Sequence, residues 1–142
     1  MTKIKYEHLV LTEFPPPKLE DGAIASKYHI LAHASGIKKF NGKDFSIAAT
    51  AITEPSVMVS DTHSHEFDQF LVFIGGNPLS KSLGGEVEIC LGEEKEKHTI
   101  TSSAIVHIPK GTMHCPLTHK RVDKPYIVLD ILLAPEYKKH IN

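Results

Sequence analysis

The sequence predicts an all-β domain, and three observations point to that class. Turn-forming pairs rich in Gly, Asn and Pro divide the chain into short segments, and β-branched residues alternate with polar residues in several of them. Between the N-terminal tail and Pro135, no segment repeats its apolar residues at the helical period. The 142 residues, 41% of them hydrophobic, fit one globular domain. Many short strands must close on one another to protect their edges, so we predict a single jelly-roll β-barrel.

The elements follow from the composition of each segment. Pro15, Pro16 and Pro17 hold the backbone in an extended form, which predicts an extended N-terminal tail over residues 1–22. The barrel domain follows over residues 23–142. Its β-branched and alternating segments predict eight strands, at residues 27–34, 45–53, 56–60, 66–74, 86–91, 97–101, 104–108 and 126–133. Residues 135–142 are compatible with a closing turn of helix.

Charge and hydropathy exclude several classes of partner. Sixteen Lys and Arg against seventeen Asp and Glu leave a formal charge of -1, so no basic face for nucleic acid or anionic lipid is expected. The longest apolar stretch, residues 127–134, contains Asp130 and is far shorter than the roughly 20 residues of a membrane span. The first twenty residues lack the apolar core of a signal peptide. We therefore expect a cytoplasmic protein that acts on a small molecule.

Histidine is unusually frequent, with ten residues in the chain. His63 and His65 are two positions apart on a predicted strand, so both side chains point the same way and can bind one metal ion. His114 follows the turn at residues 109–111, where a barrel would bring it opposite the pair. His8, His98, His119 and His140 lie among charged residues, and we expect them at the surface.

The strand that carries His63 and His65 also places Gln69 on the same face. Three imidazoles and one amide oxygen would leave two open positions on an octahedral metal ion, where substrate or water binds. The same alternation predicts an apolar wall around the ion, and we assign to this substrate pocket Phe67, Leu71, Phe73 and, from another strand, His107.

These residues resemble the two motifs of the cupin family. The first cupin motif, G-x5-H-x-H-x3,4-E-x6-G, is similar to residues 57–76, with His63, His65, Gln69 and Gly76 at the motif spacing. The second, G-x5-P-x-G-x2-H-x3-N, is similar to residues 103–118, with Pro109, Gly111 and His114 in place. The motif ends depart from the pattern, since the expected glycines and asparagine are replaced by Val57, Ser103 and Thr118.

The largest departure is at the metal site, where Gln69 replaces the usual glutamate. All four candidate ligands are then neutral, so a divalent ion would keep its full charge and favour anionic or enolic ligands. An amide does not accept a proton at pH 7, so a mechanism that uses the glutamate as a base would need another group. His107, Tyr126 and Asp130 are the candidates, and no catalytic residue is assigned. Gln69 is alternatively a hydrogen-bond partner of the substrate or of a metal-bound water.

The resemblance implies a divalent transition metal ion, which the donor set allows to be Fe, Mn, Ni, Co or Zn. It also implies a homodimer and a metal-dependent enzyme, either a dioxygenase or an isomerase or lyase, whose substrate is small and enolic, aromatic or a carboxylate. The alternative is a cupin that binds a small molecule without turnover. Fold alone does not decide between them.

Overall fold

The computed structural model describes residues 5–14, 28–36 and 42–139. In these residues the chain forms nine β-strands and one short 3-10 turn, Glu7–Leu9. The strands are β1 (His29–Ser35), β2 (Ser46–Ile52), β3 (Ser56–Val59), β4 (Gln69–Gly75), β5 (Ser82–Leu91), β6 (Glu96–Ser102), β7 (Ala104–Ile108), β8 (His114–Val122) and β9 (Tyr126–Leu132). The predicted all-β class is confirmed.

The strands form two antiparallel sheets. The five-stranded sheet has the order β1-β2-β9-β4-β7, and the four-stranded sheet has the order β3-β8-β5-β6. Strands that are distant in sequence are neighbours in both sheets, which is the connectivity of a jelly roll and agrees with the prediction.

The hydrophobic core lies between the two sheets. Alternate side chains of each strand point inward, so Leu71 and Phe73 of β4 meet Val87 and Ile89 of β5, and all four are almost fully buried. Tyr126 of β9 is also buried in this cluster. This alternation also fixes which face of each strand can present polar side chains to the interior.

One strand was missing from the prediction. β8 pairs with β3 on one side and with β5 on the other, although Pro116 lies inside it. Proline interrupts a ladder unless it lies at an irregularity, and here the register between β5 and β8 shifts between Ile89 and Leu91. The sequence pattern therefore hid a central strand behind a residue that usually marks a strand end.

The terminal segments differ from the predictions in part. The residues of the predicted tail that the structure describes, 5–14, are mostly exposed, whereas Pro15–17 and the boundary at residue 22 lie outside the described residues. The predicted helical turn near the C terminus is wrong for residues 135–139, which form bends and irregular backbone. Their main chain bonds to distant elements instead, because Ser35 Oγ donates to the carbonyl oxygen of Pro135 at 2.6 Å.

Candidate metal centre

Three histidines converge at one end of the barrel. His63, His65 and His114 each offer one ring nitrogen, and these nitrogens all lie within 4.8 Å of one another. The ring centroids are 4.4 Å apart for His63 and His114, 4.9 Å for His63 and His65, and 5.0 Å for His65 and His114. All three side chains are buried, with exposed fractions of 1–2%.

Main-chain hydrogen bonds between the two motif segments position the three histidines. His63 and His114 form an isolated antiparallel bridge, in which each N–H donates to the other residue's carbonyl oxygen at 3.1 and 2.9 Å. The N–H of Gly111 donates to the carbonyl oxygen of His65 at 2.9 Å. Gly111 has a φ of 80°, which a residue without Cβ adopts at no steric cost. The turn at residues 109–111 therefore ties the second motif to the first.

The side-chain hydrogen bonds select which nitrogen of each imidazole faces the centre. Nδ1 of His63 donates to the carbonyl oxygen of Asp61 at 3.0 Å, and Nδ1 of His114 donates to that of Thr112 at 2.9 Å. Nδ1 of His65 donates to the carbonyl oxygen of Lys138 at 2.7 Å. Because each Nδ1 carries the proton, each Nε2 keeps its lone pair and is the available ligand atom.

Two of the histidines, His65 and His114, remain neutral at physiological pH. The pKa of His65 is lowered to about 4, mainly by burial and in smaller part by the neighbouring His114 and His63, whereas the hydrogen bond to Lys138 acts in the opposite direction. Burial likewise lowers the pKa of His114. Neutral imidazole is the form that binds metal ions, so no proton has to be displaced from these two residues at pH 7.

Gln69, the first residue of β4, is buried and has one unsatisfied atom. Its amide nitrogen donates to Oδ1 of Asp130 on β9 at 2.7 Å, and its Oε1 has no hydrogen-bond partner. Burial raises the pKa of Asp130 to about 6, and the hydrogen bond from Gln69 counteracts this effect. Asp130 thereby fixes the amide so that its oxygen is the free end.

The predicted pocket residues fall into three groups. Phe67 stacks on His65, with ring centroids 4.7 Å apart and an angle of 16° between the planes. Leu71 and Phe73 lie in the hydrophobic core. His107 lies on the opposite face of the five-stranded sheet, where it stacks on Phe70 at 4.6 Å and contacts Asp68 Oδ2 at 2.8 Å. The structure therefore does not bring His107 to the centre, because its register partner Phe70 alternates with the inward-facing Gln69.

The remaining predictions on single residues also have outcomes. Asp68 points away from the histidines, and it accepts a hydrogen bond from the N–H of Lys110 at 3.0 Å. Cys90 and Cys115 are buried free thiols. His119 is not at the surface: it is 1% exposed, and Nδ1 lies 2.7 Å from the hydroxyl of the base candidate Tyr126. His8 and His98 are exposed, and His140 lies outside the described residues.

Residues 135–139 were missed as part of the site. The carbonyl of Lys138 holds His65, the ring of Tyr137 lies 5.0 Å from that of His65, and the Tyr137 hydroxyl lies 3.4 Å from Nε2 of His63. Lys139 Nζ donates to both carboxylate oxygens of Asp61, at 2.9 and 3.2 Å. No spacing in the sequence indicates these contacts, since they join positions more than 70 residues apart.

The residues present fit a metal ion. Two buried polar atoms have no partner in the described structure, Nε2 of His65 and Oε1 of Gln69, and both belong to predicted ligands. Leaving such atoms unpaired costs on the order of 1–3 kcal/mol each, a cost that coordination to an ion would remove. Three imidazole nitrogens and one amide oxygen form a donor set that first-row divalent ions accept.

Solved structures of known proteins share the fold described above. No protein-family model and no curated protein matches the chain. Recombinant oxalate oxidase in complex with glycolate aligns with a TM-score of 0.58 at 8% identity, over 95% of this chain and 64% of that one. Oxalate decarboxylase of Bacillus subtilis, studied for its Mn(II) centres, aligns with a TM-score of 0.52 at 13% identity, over 80% of this chain and 27% of that one.

These neighbours are cupins, and the chain has the cupin fold, as its two motifs predicted. The chain spans about a quarter of the decarboxylase and somewhat less than two thirds of the oxidase. At such low identity the likeness concerns the fold alone. Among the residues that the structure describes, no helix is both long and apolar enough to cross a membrane.

Proposed function

We propose that the protein is a metal-dependent enzyme that acts on a small enolic, aromatic or carboxylate substrate. His63, His65 and His114 would bind one divalent transition metal ion through Nε2, and Gln69 would complete the ligand set through Oε1. The observation that carries the proposal is the commitment of all three Nδ1 atoms to main-chain carbonyls, which leaves three buried Nε2 atoms converging. Main-chain contacts of this kind fix the tautomer and the orientation of imidazoles that bind metal ions.

The neutral donor set favours an anionic substrate. When bound, the ion would supply Lewis-acid or redox chemistry at its open positions, and Fe, Mn, Ni, Co and Zn all suit these donors. The chain's own residues contribute orientation and exclusion of water. Phe67 packs against His65 and provides an apolar surface beside the centre, and the buried imidazoles are shielded from bulk water.

A second candidate is a cupin that binds a small molecule without turnover, and Gln69 favours it. The amide nitrogen is engaged by Asp130, and the amide does not act as a base in place of the usual glutamate. The two candidates predict different outcomes when protein reconstituted with each candidate metal is mixed with dihydroxylated aromatics and keto acids. Oxygen uptake or isomerisation that is lost in His114→Ala supports the enzyme, whereas binding without turnover of any of these compounds supports the second candidate.

We also propose that two copies associate through the outer face of the five-stranded sheet. The side chains on this outer face are apolar. The residues that alternate with them along each strand point inward and form the core. We define the outer apolar face by the residues that the register places on it, which are Ile47, Phe70, Val72, Ile74, Ile105, Ile127, Leu129 and Ile131. The outer face of the other sheet instead carries polar and charged residues such as Glu88, Thr99 and Lys120. An antiparallel sheet normally exposes a polar face of this kind to water.

The occupant that fits the outer apolar face best is a second copy of the chain. In the described structure this face carries His107 at its edge and no fixed charge in its centre, so two copies can meet about a two-fold axis without like-charge repulsion. Four strands of seven residues and one of five cover on the order of 500 Å² in projection. That area is close to the roughly 600 Å² per partner that the smallest stable interfaces bury.

A further inference from the structure

The segment at residues 135–139, here called the C-terminal strap, crosses the candidate metal centre. It leaves β9 and is fixed first by Ser35, which donates to the carbonyl oxygen of Pro135. Further along, the carbonyl oxygen of Lys138 accepts a hydrogen bond from His65, and Lys139 pairs with Asp61, two positions before His63. The strap is therefore anchored on both sides of Tyr137, which lies between these contacts.

The anchors place the Tyr137 side chain against two of the three candidate ligands. Its ring meets the ring of His65 nearly at right angles, with an interplanar angle of 66°. Its hydroxyl lies 3.4 Å from Nε2 of His63, which is the nitrogen directed at the centre. The hydroxyl thus lies at the position from which it can reach a molecule bound beside the three imidazoles.

The same hydroxyl cannot keep His63 as its partner when an ion is bound. Nε2 of a neutral imidazole has one lone pair, and coordination to an ion uses it. The hydroxyl lies close enough to the centre to donate a hydrogen bond to a molecule that occupies an open position. A donor fixed by packing in this way loses little entropy on forming the new hydrogen bond.

We infer that Tyr137 is a ligand-positioning residue, whose hydroxyl donates a hydrogen bond to an anionic molecule bound at the metal centre. The inference rests on the proposed metal centre and deepens it, because it assigns a residue outside both sequence motifs to substrate recognition. It also favours substrates with an anionic oxygen close to the metal-binding group over neutral ones.

Cobalt(II)-loaded protein and azide test the inference, because azide is a small anion that changes the visible spectrum of Co(II). The Co(II) affinity and the azide affinity are measured separately for the wild type and for Tyr137→Phe. We expect Tyr137→Phe to weaken azide binding by about tenfold or more, since a hydrogen bond to a charged acceptor is lost. The Co(II) affinity is expected to change less than about threefold. Tyr28→Phe is the matched control, since it removes a hydroxyl that bonds to Ser56.

Each outcome decides one of the two claims. If the wild type does not bind Co(II), the proposed metal centre is wrong. If the wild type binds Co(II) but azide leaves its spectrum unchanged, or if Tyr137→Phe binds azide like the wild type, the role of Tyr137 is wrong. A loss of Co(II) affinity in Tyr137→Phe that matches the loss of azide affinity also overturns it, because Tyr137 would then support the histidines and not the bound molecule.

Discussion

Single hydrogen bonds to main-chain carbonyls decide what each buried histidine can do. Nδ1 of His63, His65 and His114 has such a partner, and Nε2 is left for a metal ion. His119 is equally buried, yet both of its nitrogens have side-chain partners, because Nδ1 lies near the Tyr126 hydroxyl and Nε2 lies 3.3 Å from the Met58 sulfur. Burial alone does not identify a ligand, whereas the main-chain hydrogen bond at Nδ1 indicates one.

His119 predicts a pH dependence of the free energy of unfolding. Burial lowers its pKa to about 4 from the usual 6.5, so the unfolded chain takes up a proton between these pH values and the folded chain does not. Stability therefore falls as the pH drops from about 6.5 to about 4, with a contribution from His119 of up to about 1.4 kcal/mol per pH unit. Urea unfolding of metal-free wild type and His119→Gln at pH 7, 6, 5 and 4.5 measures this contribution.

The comparison between the two proteins isolates His119, because His65 and His114 titrate in both. We expect the free energy of unfolding to vary less with pH for His119→Gln than for the wild type. The difference in this free energy between the two proteins should therefore narrow or reverse as the pH falls. A difference that stays constant from pH 7 to pH 4.5 would show that His119 does not carry the effect.

At the residue scale, some members of the candidate site could be predicted from the sequence and others could not. Strand alternation was sufficient to predict that His63 and His65 share one face, and the resemblance to the two cupin motifs implied that His114 joins them. The pairing of Gln69 with Asp130 depends on which strands become neighbours, and β4 and β9 are far apart in the chain. His119 was expected at the surface because its flanking residues are charged, but strand alternation turns those neighbours outward and His119 inward.

The C-terminal strap is the element that packs against the candidate metal centre. Its ion pair between Lys139 and Asp61 is only partly exposed, with 15% and 43% of the two side chains accessible. The Lys139 ammonium also contributes to the lowered pKa of Asp61, although burial raises it. An ion pair that joins the strap to Asp61, two positions before His63, can hold the strap against the centre.

Lys139→Met should accelerate release of bound metal. The substitution keeps an unbranched side chain of similar length but removes the charged end and with it the ion pair. We expect the ion pair to be worth about 1 kcal/mol because it is partly shielded. The rate of Co(II) or Zn(II) transfer to excess EDTA should rise about fivefold, with the metal content before chelation unchanged. Lys120→Met is the control, since it removes a lysine that pairs with Glu88 at 3.5 Å on the four-stranded sheet. Equal release rates for Lys139→Met and wild type would show that the strap does not limit access.

The strands were predicted more completely than the segments that connect them. Eight of the nine strands were predicted from alternation, but β8 was hidden by Pro116, and β5 begins at Ser82, before the predicted start at residue 86. Glycines at positions 84 and 85 weakened the strand signal there, although Gly85 lies where a Cβ would meet the carbonyl of Arg121. The strap has no periodicity, so its course depends on tertiary contacts alone.

On the scale of the whole molecule, the two sheets differ in what their outer faces present. The formal charge of -1 for the chain gives no sign of this difference, because a net charge does not say where the ionic residues lie. Composition predicted a single globular domain, but it gave no indication of which sheet has an apolar outer face. That information appears only when the register of β2, β4, β7 and β9 is known.

Val72→Lys should convert a dimer to a monomer. Val72 lies near the middle of the outer apolar face, opposite Leu129 and Ile105, so two lysines would meet at the interface. Light scattering after size-exclusion chromatography at several protein concentrations should give twice the chain mass for wild type and one chain mass for the variant. Thr99→Lys, on the exposed outer face of the other sheet, should remain dimeric. A wild type that is monomeric at about 100 μM would contradict the proposed association.

The metal centre joins all three scales, and its occupancy is the most direct measurement. Elemental analysis of protein purified without chelator or histidine tag should find close to one transition metal ion per chain, and His63→Ala should lose it. His98→Ala, at an exposed histidine paired with Glu96, should keep the wild-type content. The account is contradicted if the wild type stays free of metal after reconstitution with Fe, Mn, Co, Ni and Zn in turn, or if His63→Ala retains as much metal as the wild type.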